Sequence, residues 1–278
     1  MPSAPLPARA PARARARTAV LAAAAAAAAT VSAAGCDATT TVTRVLAAAG
    51  VRHVRVVNVA GTVSLESWND GHEIRLRADL TGRDAAALAA THVDLALDGA
   101  AAVATVATPR PGASAEIEMS VPPGVSVEVT NDDGPVYALG AFGALTVRNT
   151  GGLVRAYGAN GPVDVVTTAG SISIEGAIPW FKVKTDVGRV RIASDLEGAL
   201  TGDSEARVER GRIGVTLPAS GHATVDASTA LGRLVTNCGI EVVETGDGGR
   251  MRGTVGGGGP MLRLHIAAGT VGVWRGVL

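Results

Sequence analysis

Few residues of this chain have both the type and the spacing for chemistry. The five histidines, His53, His72, His92, His222 and His265, stand at no metal-binding interval such as H-x3-H, and Cys238 has no C-x-x-C partner. They read as solvated or turn histidines. Gly256-Gly257-Gly258-Gly259 lacks the Gly-Lys-Ser/Thr ending of a phosphate loop and reads as a flexible turn. Asp132-Asp133 could bind Ca²⁺ or act as an acid/base pair. Adjacent side chains on a strand or turn point apart, however, and Asp-Gly is common turn chemistry, so the turn is the stronger reading. No catalytic, cofactor or metal residue is assigned. Cys36 is the one residue with a reactive role: it could be modified at its thiol, or it could pair with Cys238 in an oxidising compartment.

The context of Cys36 is that of an export signal. Residues 1–35 carry Arg9, Arg13, Arg15 and Arg17 and no acid, then an uncharged, mostly Ala stretch from Thr18 to Ala34. A positive region, an apolar region and small residues come in the order a secretory signal requires. A transmembrane helix is the competing reading, weakened by the marginal length and the poor insertion tendency of Ala. Ser32-Ala33-Ala34-Gly35-Cys36 resembles the lipobox of bacterial lipoproteins, departing from it at Ala33, where Leu is commonest. The resemblance implies cleavage before Cys36 and acylation of that residue. Cleavage by an ordinary signal peptidase after Ser32-x-Ala34, leaving a soluble secreted protein, stays open. Residues 36–50 are small and Thr-rich and read as a flexible tether.

The composition sets the rest of the frame. Of 278 residues 47% are hydrophobic but only 3% aromatic, and 36 are Gly, which argues for many turns around a core of Ala, Val, Leu and Ile. The 25 basic and 25 acidic residues balance. Without the four N-terminal arginines the remainder is mildly acidic, a poor match to nucleic acid.

An internal repeat must position whatever the surface does. Gly134, Gly152, Gly170 and Gly188 are each 18 residues apart. Stepping by 18 gives four apolar columns: Val127, Leu145, Val163, Phe181; Val129, Val147, Val165, Val183; Val136, Val154, Ile172, Val190; and Ala138, Ala156, Ile174, Ile192. At this composition sixteen apolar positions out of sixteen have a chance on the order of 10⁻⁵. The alternation within each unit means strands with one buried face. Stacking such units in register predicts an all-β fold, a right-handed parallel β-helix (β-solenoid) with coils of roughly 18 residues. Weaker echoes run to residue 275. Upstream, Val63-x-Leu65 and Ile74-x-Leu76 flank Asn69-Asp70-Gly71, a hairpin signal, and Arg83 to Thr91 predicts one short helical insertion. The solenoid is therefore expected over residues 51–275, with 51–121 its opening part and 122–275 its regular repeats.

Outward positions include Tyr137, Arg155, Ser173 and Arg191 in one column and Tyr157 and Glu175 in the next. They suit a ligand surface and an ordinary solvated face equally well. Trp68, Trp180 and Trp274 read as edge or cap packing.

The stretches Val121-Pro122-Pro123-Gly124-Val125-Ser126-Val127-Glu128-Val129, Asn131-Asp132-Asp133-Gly134-Pro135-Val136, Gly161-Pro162-Val163-Asp164-Val165 and Gly259-Pro260-Met261-Leu262-Arg263-Leu264 resemble the bacterial "putative adhesin" domain family over roughly residues 55 to 275. The turns match it in phase more than in letters. The resemblance implies a β-helix and an envelope location, with no established catalytic residues. The expected function is a non-enzymatic cell-envelope lipoprotein, exported and lipid-anchored to the cell membrane or outer membrane. Its expected partners are that membrane and an envelope protein or glycan, with no cofactor and no nucleic acid. An envelope-stress sensing module and a polysaccharide-active β-helix enzyme are the alternatives.

Overall fold

The structure is a computed structural model that describes residues 38–67, 72–108, 112–194 and 200–276, and the backbone of 31–33. Cys36, Trp68, the Asn69-Asp70-Gly71 turn and most of the signal segment lie outside the described residues.

The described chain is all-β with almost no helix. Its first strands are β1 (Val31–Ala33), β2 (Ala38–Ala47), β3 (His53–Ala60), β4 (Val63–Ser67) and β5 (Glu73–Gly82). After α1 (Ala85–Ala89) come β6 (His92–Asp98), β7 (Ala101–Ala107), β8 (Ala113–Ser120), β9 (Ser126–Asp133), β10 (Val136–Gly140), β11 (Leu145–Gly151) and β12 (Val154–Tyr157). Then follow β13 (Val163–Ala169), β14 (Ile172–Gly176), β15 (Phe181–Ser194), β16 (Ser204–Leu217), β17 (Ala223–Thr236), β18 (Val242–Thr245), β19 (Gly248–Val255) and β20 (Met261–Arg275). The predicted helix is the five-residue α1, held by the Asp84 carboxylate, which accepts the Ala87 N–H at 2.7 Å.

All twenty strands join one sheet of mixed pairings. Its middle is parallel and follows the predicted columns residue for residue. Val127, Leu145, Val163 and Phe181 are register partners across β9, β11, β13 and β15, as are Val136, Val154, Ile172 and Val190 across β10, β12, β14 and β15. All sixteen column residues are buried, none more than 3% exposed. Two parallel ladders, one through β9 and one through β10, merge in the long bent strand β15 and continue into β16, β20 and β17.

Glycine marks the bend. Gly170 has φ +146°, and a Cβ there would sit 1.8 Å from the carbonyl oxygen of Gly152 on the neighbouring strand. Only glycine permits that approach and that φ together. The same contact repeats from Gly134 to Gly152 and from Gly170 to Gly188, then along Gly211, Gly269 and Gly232.

Beside the bend runs a buried polar row that apolar periodicity does not reveal. Asn58, Asn131, Asn149, Thr167 and Thr185 are register partners on β3, β9, β11, β13 and β15, and none is more than 4% exposed. Asn58 Nδ2 donates to Asn131 Oδ1 at 2.9 Å, and Asn131 Nδ2 donates to Gly134 O at 3.1 Å. Asn149 Nδ2 reaches Gly134 O and Gly151 O, and the Thr167 and Thr185 hydroxyls donate to Ala169 O and Val187 O. The row adds a second hydrogen bond to corner carbonyls, since Gly151 O, Ala169 O and Val187 O already accept from Gly134 N, Gly152 N and Gly170 N.

Three expectations are corrected. Residues 38–47, read as part of a flexible tether, are a strand: β2 pairs antiparallel with β5 over its whole length. The β-branched run Thr39–Val42 suits an extended edge better than a linker. The predicted hairpin across residues 69–71 does not form, because β4 pairs in parallel with β8 and β10 while β5 pairs with β2 and β8. The repeats also do not stack in chain order at the ends. The β3–β4 unit lies between the β7–β8 and β9–β10 units, and β20 lies between β16 and β17.

Candidate binding surface

The outward residues form two faces. On the face of the first ladder one row reads Arg55, Glu128, Thr146, Asp164, Lys182, Glu205, Arg263, Asp226, Arg252 across successive strands. Opposite charges directly across a strand pair support the sheet. Most of the arginines here are neutralised. Arg148 grips both oxygens of Asp164 at 3.0 and 3.1 Å, Arg207 pairs with Glu205, and Arg263 with Asp203 at 3.2 Å. Asp226 takes Arg252 at 2.9 Å and Arg250 at 3.1 Å. The Arg252 hydrogen bond, with Arg250 adding to it against partial burial, holds the Asp226 carboxyl below its usual range.

A shallow open groove of about 360 Å³ lies among these residues. In it Ser228 Oγ is 3.0 Å from His265 Nδ1. A serine nucleophile needs its histidine oriented by a third group. The groove's two carboxylates, Asp226 and Glu205, are held by arginines instead. The pair is a cross-strand hydrogen bond, and it gives no argument for hydrolysis.

The face of the second ladder is different in kind. Its rows are Tyr137, Arg155, Ser173, Arg191 and then Gly214 and Gly272; and Leu139, Tyr157, Glu175, Ala193, Thr216, Trp274. The outward column predicted from the 18-residue step is thus assembled as expected. Arg155 lies over the Tyr157 ring, its Cζ 5.8 Å from the centroid, within cation–π range. Tyr137 and Leu139 are exposed at 36% and 54%. Trp274 covers the two glycines: a Cβ on Gly272 would meet its ring at 2.0 Å, one on Gly214 at 3.1 Å. Its indole is a platform on the sheet, built by leaving both neighbouring positions without side chains.

The other residues singled out are scattered. His53 Nε2 is 3.5 Å from Glu128, and His222 bonds Gly256 O. Cys238 is a half-buried free thiol 3.6 Å from Val273 O. Asp132 and Asp133 are exposed at the end of β9, and Gly256–Gly259 links β19 to β20. Trp180 is exposed at its edge and packs over Gly202. Among the described residues no three His, Cys, Asp or Glu side chains are grouped to hold a metal ion, and no helix is long and apolar enough to cross a membrane.

No family model matches the chain, and no curated protein is similar to it. Solved structures are similar at low identity. A "putative cell adhesion protein" from Clostridium sporogenes is 12% identical, over 85% of this chain and 99% of that one, with a TM-score of 0.36. A "putative adhesin" from Bacteroides fragilis is 12% identical over 85% and 97%, with a TM-score of 0.38. Another from Parabacteroides distasonis is 11% identical over 84% and 96%, with a TM-score of 0.39. Likenesses this distant leave function to the chain's own surface.

Proposed function

We propose that the chain is a non-enzymatic, adhesin-like binding module of the bacterial cell envelope, built as a right-handed parallel β-helix and anchored by lipid on Cys36. Support for the β-helix is the parallel register at three successive 18-residue steps. Right-handed winding is the form that nearly all parallel crossovers take. Support for the anchor is the small-residue run before Cys36 behind a basic and apolar leader.

The observation that carries the binding reading is the second-ladder face. There Tyr137, Arg155 and Tyr157 stand on adjoining strands about 4.8 Å apart, and Trp274 stands in the Tyr157 row four strands further along. Tyr137 is exposed and Tyr157 and Trp274 are half-buried, and aromatics beside guanidinium groups are the side chains that dominate recognition surfaces. Their partner is a glycan of the envelope, since sugar rings stack on flat aromatic faces.

A glycan array probed with the purified protein, followed by a reducing-end assay on each bound glycan, tests this. Retention on the array without release of reducing ends is expected. Release of reducing ends makes the protein an enzyme. No retention of folded protein on any glycan ends the binding reading.

A further inference from the structure

The corner just past the glycine bend carries a second pattern. Arg189 on β15 is the register partner of Arg212 on β16, which pairs through Thr270 on β20 with Arg233 on β17. Arg191 stands two residues beyond Arg189 on the second-ladder face, and Arg210 just before the bend of β16. All five are exposed. None makes an ion pair or side-chain hydrogen bond among the described residues. The contrast with the first-ladder face, where Arg148, Arg207, Arg250, Arg252 and Arg263 are all paired, is sharp. Asp186 and Glu209 lie before the bend on β15 and β16 and pair with none of the five.

Like charges on directly opposed strand positions repel. Arg189 against Arg212 is therefore a cost that no carboxylate in the described structure offsets. A guanidinium left unpaired keeps its planar fork for a carboxylate from elsewhere. The ladder's positions repeat at the strand spacing of about 4.8 Å, close to the length of one sugar unit in an extended chain, with Thr270 standing between Arg212 and Arg233. Arg191 is the in-register neighbour of Gly214, one of the two glycines beneath Trp274, and belongs to the Tyr137–Arg155 row. A ligand along the ladder thus meets guanidinium groups and an aromatic face together.

We infer that Arg189, Arg191, Arg210, Arg212 and Arg233 form the docking strip for a linear acidic polysaccharide bearing carboxylates. Carboxylates of the polymer meet the guanidinium groups on either side of Thr270, and sugar faces lie toward Trp274. This rests on the glycan-binding reading and names the class of glycan.

The test uses the full chain against polygalacturonate and against the same polymer methyl-esterified, which keeps the backbone and removes the charge. Binding to polygalacturonate, weakening with added salt and lost on esterification, is expected. Arg189→Gln/Arg212→Gln is expected to weaken it by about tenfold or more, the loss of two charge-assisted contacts. Arg250→Gln/Arg252→Gln, on the other face, is expected to leave it within about twofold. Circular dichroism of each variant reports the fold. Equal binding of the two polymers, or no response to Arg189→Gln/Arg212→Gln, overturns the strip. Tighter binding of duplex DNA or phosphatidylglycerol vesicles through the same arginines overturns the polysaccharide. Retention on neutral glycans without polygalacturonate binding defeats this inference and leaves the adhesin reading standing; no binding to either defeats both.

Discussion

Replacing Gly170 by Ala tests the bend at its most crowded point. The new Cβ would lie 1.8 Å from Gly152 O, where ordinary contact begins at 3.4 Å, so the strands must part by about 1.6 Å. Two backbone hydrogen bonds cross there, Gly152 N to Ala169 O at 3.0 Å and Val154 N to Ser171 O at 2.9 Å. Parting of that size breaks them, at about 1 kcal/mol each. The positive φ adds about 1–2 kcal/mol for any residue with a Cβ, so the loss comes to about 3–4 kcal/mol. Gly124→Ala is the control: φ there is +77°, but nothing lies within 4 Å of the new Cβ. It carries the conformational cost without the collision, and the two variants should differ by about 2 kcal/mol. Urea unfolding at 25 °C followed by far-ultraviolet circular dichroism measures both. Equal losses in the two variants would refute the contact and with it the stacked glycine column.

Asn131→Ala removes the donor to Gly134 O and Gly61 O and the acceptor for Asn58 Nδ2 at a site 1% exposed; a loss of about 2–4 kcal/mol is expected in the same unfolding assay, and under 1 kcal/mol would show that the polar row does not hold the corner. Because the folded pKa of Asp226 is depressed, its contribution is full above the ordinary carboxylate value of 3.8 and is lost as pH falls through the lower folded value. The stability gap between wild type and Asp226→Asn should therefore narrow in acid titrations followed by urea melts, and a gap that stays constant down to acid unfolding would contradict the ion-pair assignment. Cys36→Ser should abolish partition into the detergent phase and the added lipid mass, with Cys238→Ser unchanged; a mature N-terminus before Cys36 with no lipid mass would end the anchor reading.

The central coils were legible because one physical rule governs them. Parallel strands stacked in register place residue i over residue i+18, so each core column must keep its character from unit to unit, and the bend must keep its glycine. The same rule writes Asn131, Asn149, Thr167 and Thr185 at the same interval. That row is written in the sequence too, but apolar periodicity does not reveal it, since a polar column at an inward position runs against that pattern. It survives burial because each side chain donates to a carbonyl at the bend, an oxygen with a second lone pair to offer. The outward Tyr137–Arg191 column followed from the same arithmetic. What it could not yield was the indole of Trp274 over Gly214 and Gly272, since those three belong to strands outside the 18-residue rhythm.

The ends resisted reading for a different reason. A repeat states which residues share a column, but it states stack order only while the step is constant. After β15 the step lengthens to the 23 residues between Val183 and Ala206, and chain order ceases to be spatial order. Side-chain size shows what selects the observed arrangement. Leu264 of β20 lies between Ala206 of β16 and Ala227 of β17, and Leu262 between Ser204 and Val225. Were β17 stacked directly on β16, Ala227 would lie near Ala206, leaving the core underfilled at the level where Leu264 now sits. The leucines of β20 fill that level from both sides, and all are buried. Packing volume, rather than proximity along the chain, thus favours β20 between β16 and β17. In doing so it brings Arg212 and Arg233 to either side of Thr270, which gives the cationic ladder its spacing.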